Sequence, residues 1–107
     1  MCGVVAGGYT LDGRDISNQA VIQGRLLTNG VPTEGYVRLL DRSGEFTAEV
    51  NTDAEGNFRF FAREAVWTLR ALAPQQTALE YTVGARLGEI TEVELDLVAG
   101  SRVLATL

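Results

Sequence analysis

The chain has 107 residues, enough for one domain and too few for two ordinary ones. All nine positive charges are arginines, and fourteen Asp and Glu residues leave a formal net charge of −5. This acidic balance argues against binding to nucleic acid or to an anionic membrane surface, because both need a basic footprint. With no histidine and one cysteine, the chain cannot form a Ser-His-Asp triad, an internal disulfide or a zinc site of His and Cys ligands.

The first 19 residues differ in pattern from the rest. They contain four glycines and no sustained apolar periodicity, so we predict a flexible N-terminal arm over 1–19 and a folded domain over 20–107. The start of the chain lacks a basic region and a long apolar run, so we expect no secretory signal and no membrane span. A lone cysteine without a signal peptide predicts a cytoplasmic protein.

From residue 20 onward, short apolar segments alternate with turn signals about every ten residues. This spacing predicts an all-β protein, which we interpret as a seven-stranded antiparallel β-sandwich. A single helical turn at 62–65 is the only helical segment that the pattern allows, and residues 102–107 are predicted to form a tail. The predicted strands cover 21–28, 36–40, 46–51, 57–61, 67–72, 79–83 and 90–98.

The aromatic side chains alternate along their strands and are predicted to fill the core. Phe46, Phe58, Phe60, Trp67 and Tyr81 all occupy predicted inward positions.

Phe61 breaks this alternation, which leaves two alternatives. Exposed beside Tyr36 and Leu40, it forms a partner-contact patch; buried under the loop 62–66, it belongs to the core. We therefore take Tyr36 and Phe61 as candidate partner contacts.

An acidic stripe follows the last predicted strand. Glu92, Glu94 and Asp96 alternate with apolar residues, and neighbours on one strand face lie about 6.6–6.8 Å apart. That is too far for one small cation to bind all three, so we predict a solvated face paired with Arg59 and Arg70.

The segment 53–57 looks like a shortened calcium loop, but it lacks the length and the terminal bidentate glutamate. We predict a hairpin turn there. We predict no metal site, no cofactor and no catalytic residue.

The middle of the chain resembles the carboxypeptidase-regulatory-like, transthyretin-like β-sandwiches. The resemblance is carried by Gly24, the loop 30–32, the strand 36–41, the turn and strand 53–60, and the strand 67–71. It implies a transthyretin-like sandwich.

A second resemblance covers nearly the whole chain. The runs 35–41, 44–50, 58–62 and 67–72, with the start Met1-Cys2-Gly3, look like the small actinobacterial SseC-like proteins, a family of unknown function. That family is associated with sulfur metabolism because its members are encoded beside rhodanese-type thiosulfate sulfurtransferases. The resemblance implies an accessory protein of sulfur metabolism whose partner is such an enzyme.

Cys2 is the residue that this context singles out. If Met1 is removed, the thiol lies beside the α-amino group, whose positive charge favours the reactive thiolate. A persulfide carrier needs one accessible thiolate and no base of its own. Cys2 is therefore the candidate sulfur acceptor or docking thiol, and the alternative is an incidental residue of the arm.

Three classes of function stay open at this point. The first is a non-catalytic accessory protein of sulfur metabolism, and the second is an interaction or structural module without a sulfur role. The third is an enzyme based on carboxylates, tyrosine or Cys2, for which no arrangement stands out. A homodimer formed through a sheet edge or an aromatic patch is a further expectation.

Overall fold

The computed structural model describes residues 10–11, 14–76 and 78–107, and these ranges contain eleven strands and no helix. The all-β prediction is therefore confirmed, and no membrane-spanning helix occurs in the described ranges. The helical turn expected at 62–65 is absent, because β7 and β8 follow each other almost directly. The strands are β1 (Thr10–Leu11), β2 (Arg14–Asp15), β3 (Ala20–Thr28), β4 (Val31–Pro32), β5 (Tyr36–Leu40), β6 (Phe46–Asn51), β7 (Asn57–Ala62), β8 (Ala65–Leu72), β9 (Leu79–Ala85), β10 (Ile90–Asp96) and β11 (Gly100–Thr106).

Nine of these strands form two sheets. Sheet I has the order β11-β10-β3-β4, with β7 also paired to β3, and sheet II has the order β6-β5-β8-β9. β1 and β2 form a separate two-residue ladder. The prediction of seven strands missed two of these nine. β4 is only two residues long, and β11 covers most of the segment 102–107 that was predicted to be a tail.

One strand pair departs from the predicted antiparallel arrangement. β10 runs parallel to β3, with Ile90 opposite Val21 at one end and Asp96 opposite Leu27 at the other. The chain reaches β10 from β9, which belongs to sheet II, so this connection crosses between sheets and is free of the constraint of a hairpin. β6 and β7 also lie in different sheets, so the turn at 53–56 joins the two sheets and is not the predicted hairpin turn.

The main core lies between the sheets and follows the predicted alternation closely. Phe58, Phe60 and Trp67 are all buried against it, and Tyr81 packs on it from a half-buried position. Phe46 is the exception, with 62% of its surface exposed. The register shifts by one residue between Leu39 and Leu40, and this bulge turns Phe46 to the outer face of sheet II, so the predicted core position is wrong.

A smaller cluster lies on the outer face of sheet I. Val21 and Ile90 point away from the main core there, and Ile16 covers them with only 1% of its surface exposed. The N–H of Gln19 donates to the Ile16 carbonyl at 2.9 Å, and the N–H of Gly88 donates to the Gln19 carbonyl at 2.8 Å. The segment just before β3 is thus packed on the sheet, while the predicted arm boundary at residue 19 stays a prediction.

Gly24 lies in the middle of β3, between β10 and β7. It pairs with Val93 on one side and Phe58 on the other, and a Cβ atom added to it would lie 1.9 Å from the Val93 carbonyl oxygen. No side chain larger than hydrogen fits this position without separating the strands.

Candidate functional site

A cleft of about 880 Å³ opens on sheet I, with walls from β3, β7, β10 and the end of β6. Gln23 lies at the centre of its polar floor, opposite Glu92 on one neighbouring strand and Arg59 on the other. Each of these three residues alternates with buried core residues, so their side chains project from the outer face of the sheet.

These three side chains form a hydrogen-bonded relay across three strands. Gln23 Nε2 donates to Glu92 Oε2 at 2.9 Å, and Arg59 Nε donates to Gln23 Oε1 at 2.9 Å. The Gln23 amide therefore lies between the cationic Arg59 and the anionic Glu92 and bonds to both.

The next row of the same face holds two arginines and one glutamate, because Arg25 and Arg102 lie on either side of Glu94. Arg102 of β11 pairs with Glu94 at 3.2 Å, and Arg25 Nε donates to the Glu55 carbonyl oxygen at 3.4 Å. The predicted solvated stripe thus holds for Glu92 and Glu94, although the partner of Glu94 is Arg102. Arg70, the predicted partner, lies on sheet II and pairs with Glu80 at 3.6 Å.

Asp96 does not belong to the solvated stripe, and the prediction is wrong for this residue. Only 5% of its surface is exposed, and its carboxylate accepts hydrogen bonds from the backbone N–H groups of Asn29, Gly30, Val98 and Ala99 at 2.8–2.9 Å. These donors, that of Ala99 most strongly, lower the pKa of Asp96 to about 2. Asp96 is therefore a structural residue that ties two loops together.

Metal-ligating side chains do not cluster in the described part of the chain. No group of three or more metal-ligating side chains occurs there. In the calcium-like segment, the Asp53 carboxylate accepts the N–H of Glu55 at 3.0 Å and that of Asn57 at 2.8 Å, so it is occupied by its own turn. The backbone N–H of Asn57 is the main cause that lowers the pKa of Asp53.

The outer face of sheet II carries a row of four charges across its four strands. Arg38 and Arg70 lie directly opposite each other, flanked by Glu49 and Glu80. Arg38 Nε donates to Glu49 Oε1 at 2.6 Å, and Arg70 contacts Glu80 as described above. Each arginine has an acidic neighbour, so this face is also close to neutral.

The structure separates the predicted contact residues. Tyr36 is 45% exposed on the outer face of sheet II, whereas Phe61 is 40% exposed on the outer face of sheet I. The patch expected from Phe61, Tyr36 and Leu40 therefore does not form. Cys2 lies outside the described residues.

Sequence reasoning did not identify two residues of the cleft floor. Gln23 and Arg25 stand inside an otherwise apolar strand, β3, and polar residues in a central strand are the signal that indicates a polar outer face. Their partners could not be predicted, because the pairing of β3 with β7 and β10 joins residues 36 and 69 positions apart.

Comparison with known proteins gives the chain a family. Residues 2–97 match the family described as "Protein of unknown function (DUF1416)". The chain belongs to this family. Two uncharacterized proteins of Mycobacterium tuberculosis, Rv0814c and Rv3118, are each 47% identical over 76 residues, which cover 68% of this chain and 76% of theirs. An uncharacterized protein of Mycolicibacterium smegmatis is 49% identical over 63 residues, covering 57% of this chain and 70% of its own length.

Proposed function

We propose that this DUF1416 protein is a non-catalytic accessory protein of sulfur metabolism. In this proposal Cys2 is the sulfur acceptor or docking thiol, and a rhodanese-type sulfurtransferase is the partner. The observation that carries the proposal is that Cys2 is the only thiol in the sequence. The resemblance to the SseC-like proteins supports the sulfur context.

The chemistry requires little from the folded domain. The enzyme's persulfide donates its outer sulfur to the Cys2 thiolate, which becomes the persulfide while the enzyme's cysteine leaves as a thiolate. Thiosulfate reloads the enzyme and leaves as sulfite. No acid, base or metal is needed on this chain, and a reducing cytoplasm keeps the lone cysteine available as a thiol.

In this proposal the sandwich domain binds the enzyme and anchors the N-terminal arm. Ile16 is packed on the outer face of sheet I, the face whose polar rows line the cleft. Eight peptide steps separate Cys2 from Thr10, where β1 begins, and a fully extended chain of that length spans at most about 29 Å. A thiol on such a tether can reach the active site of an enzyme docked on the domain.

A transfer assay tests the proposal. The protein is incubated with thiosulfate and a rhodanese-type sulfurtransferase, and its intact mass is measured for the wild type and for Cys2→Ser. We expect the wild type to gain one sulfur atom that reductant removes, and Cys2→Ser to gain none. No gain by the wild type, or an equal gain by the variant, overturns the proposal.

A second candidate is an interaction module without a sulfur role, including the transthyretin-like modules that the sequence resembles. The observation in its favour is the pair of exposed aromatic side chains on sheet II, Tyr36 and Phe46. Calorimetry distinguishes the two candidates. A sulfurtransferase that binds wild type and Cys2→Ser equally, without sulfur transfer, supports the module, whereas weaker binding of Cys2→Ser supports a docking thiol.

A further inference from the structure

The end of the described chain concentrates exposed apolar surface. Ten large apolar side chains are exposed among the described residues, and four of them lie in the last ten positions. Val103 and Leu104 of β11 are 44% and 50% exposed, and Leu107 just beyond the strand is 51% exposed. A soluble domain rarely exposes such side chains along a seven-residue edge strand unless something covers them.

The backbone of β11 also presents open hydrogen-bonding groups. The N–H of Val21 donates to the Glu89 carbonyl, and the N–H of Leu97 donates to the Leu27 carbonyl, so the odd-numbered residues of β10 bond to β3. The residues of β11 opposite these positions cannot bond to β10, so their N–H and C=O groups point outward from the sheet. These residues are Ser101, Val103 and Thr106.

Sheet II does not extend over β11. β9 contacts β10, and the inward side chains of Val93 and Leu95 on β10 are fully buried. Val103 lies opposite Val93 and faces the same side, yet it is 44% exposed. β11 is therefore an overhanging strand, uncovered on its inner face as well as along its edge.

The charge pattern favours a second copy of this chain as the occupant. The only charged residue of β11 is Arg102, which is already paired with Glu94 of its own chain. β11 therefore carries no unpaired charge that would repel an identical strand.

We propose that the protein forms a homodimer through antiparallel pairing of β11 with β11 of a second copy. In this dimer Val103 of each copy lies opposite Thr106 of the other. The N–H and C=O groups of both residues, four groups on each strand, then form hydrogen bonds between the two copies. This register places each Arg102 opposite Leu107 of the other copy, so the two Arg102 side chains lie apart, and it places Leu104, the extra residue at the register shift of β11, near the two-fold axis. The two copies of sheet I then form one continuous sheet across a two-fold axis.

Sedimentation velocity over a concentration series, combined with amide hydrogen exchange, tests the dimer. We expect a monomer–dimer equilibrium in which the amides of Ser101, Val103 and Thr106 become protected as concentration rises. The amides of Arg102 and Ala105 face β10 and should be protected at every concentration.

Two substitutions with different mechanisms probe the edge, and a third is the control. Val103→Lys places a charge in the interface, and Thr106→Pro removes an outward N–H that sheet I does not use. Each should raise the dimer dissociation constant at least about tenfold, because buried like charges and lost strand hydrogen bonds oppose pairing. Val31→Lys, at a valine 62% exposed on β4, should leave it unchanged.

Three outcomes overturn the proposal. The first is a wild type that stays monomeric at every concentration, and the second is a dimer that both edge variants retain. The third is a monomer whose β11 amides become protected only when the sulfurtransferase is added, which would assign the edge to a strand of that partner.

Discussion

The carboxylate of Asp96 accepts a hydrogen bond from the backbone N–H of Gly30, with 2.8 Å between Oδ2 and N. Asn29 and Gly30 both have positive φ angles, 51° and 84°, so the loop after β3 needs a partner that holds its N–H groups in this conformation. The other carboxylate oxygen binds Val98 and Ala99 as well as Asn29. One buried carboxylate thus fixes two loops at the same end of sheet I.

Asp96→Ala should lower the free energy of unfolding by about 2–4 kcal/mol, because it leaves four backbone donors without their acceptor. Asp53→Ala is the matched control, since Asp53 holds an exposed turn where water replaces the lost acceptor; we expect a clearly smaller loss than for Asp96→Ala. Urea unfolding of both variants gives the comparison. Equal losses would contradict the structural role of Asp96.

The lowered pKa of Asp96 predicts a dependence of stability on pH. Its folded-state pKa is about 2, below the value of about 3.9 expected in the unfolded chain, so its contribution is fully present above about pH 4. That contribution is lost as the pH falls from about 4 toward 2. The difference in melting temperature between wild type and Asp96→Asn should therefore shrink between pH 7 and pH 2.5. A difference that stays constant or grows on acidification would contradict the assignment.

Gly24→Ala should destabilise the protein by about 2 kcal/mol or more, because the added Cβ meets the Val93 carbonyl and the strands must separate. Gly84 provides the control within the same fold: a Cβ added there has no atom within 4 Å, so Gly84→Ala should change stability by less than about 0.5 kcal/mol. Thermal melts of the two variants measure the difference. Similar melting temperatures would show that β3 and β10 tolerate the extra atom.

Ile16→Ala should lower the free energy of unfolding by about 2–4 kcal/mol, because it opens a cavity over Val21 and Ile90. Val98→Ala, at a side chain 61% exposed, should have an effect of less than about 0.5 kcal/mol. Removal of residues 1–17 should lower the free energy of unfolding at least as much as Ile16→Ala does. Removal of Ile16 without loss of stability would place it with the predicted flexible arm instead of the core.

Alternation along single strands predicted much of the core. Phe58, Phe60 and Trp67 are buried because a regular strand sends every second side chain inward. Phe46 follows the same pattern in the sequence, but a bulge in the pairing of β5 with β6 reverses its side. A bulge depends on the partner strand, so one strand's sequence does not reveal it.

The candidate site was less predictable, for a related reason. Glu92, Glu94 and Asp96 look alike in the sequence, yet Asp96 is buried between the loop that follows it and a loop about 66 residues earlier in the chain. Arg102 pairs with Glu94 only because residues 100–106 add a strand to sheet I. Which polar residue is buried, and which arginine pairs with it, follows from strand order, and strand order is a property of the whole chain.

The position of the transferred sulfur is the most direct test of the proposed function. After incubation with thiosulfate and the sulfurtransferase, thiols are alkylated and the protein is cleaved with trypsin, which cuts after Arg14 and leaves the only cysteine of the chain in the peptide 2–14. We predict one additional sulfur atom on this peptide in the wild type, none on any other peptide, and its loss when reductant precedes alkylation. An unmodified peptide 2–14 after an active enzyme has been supplied with thiosulfate would contradict the account.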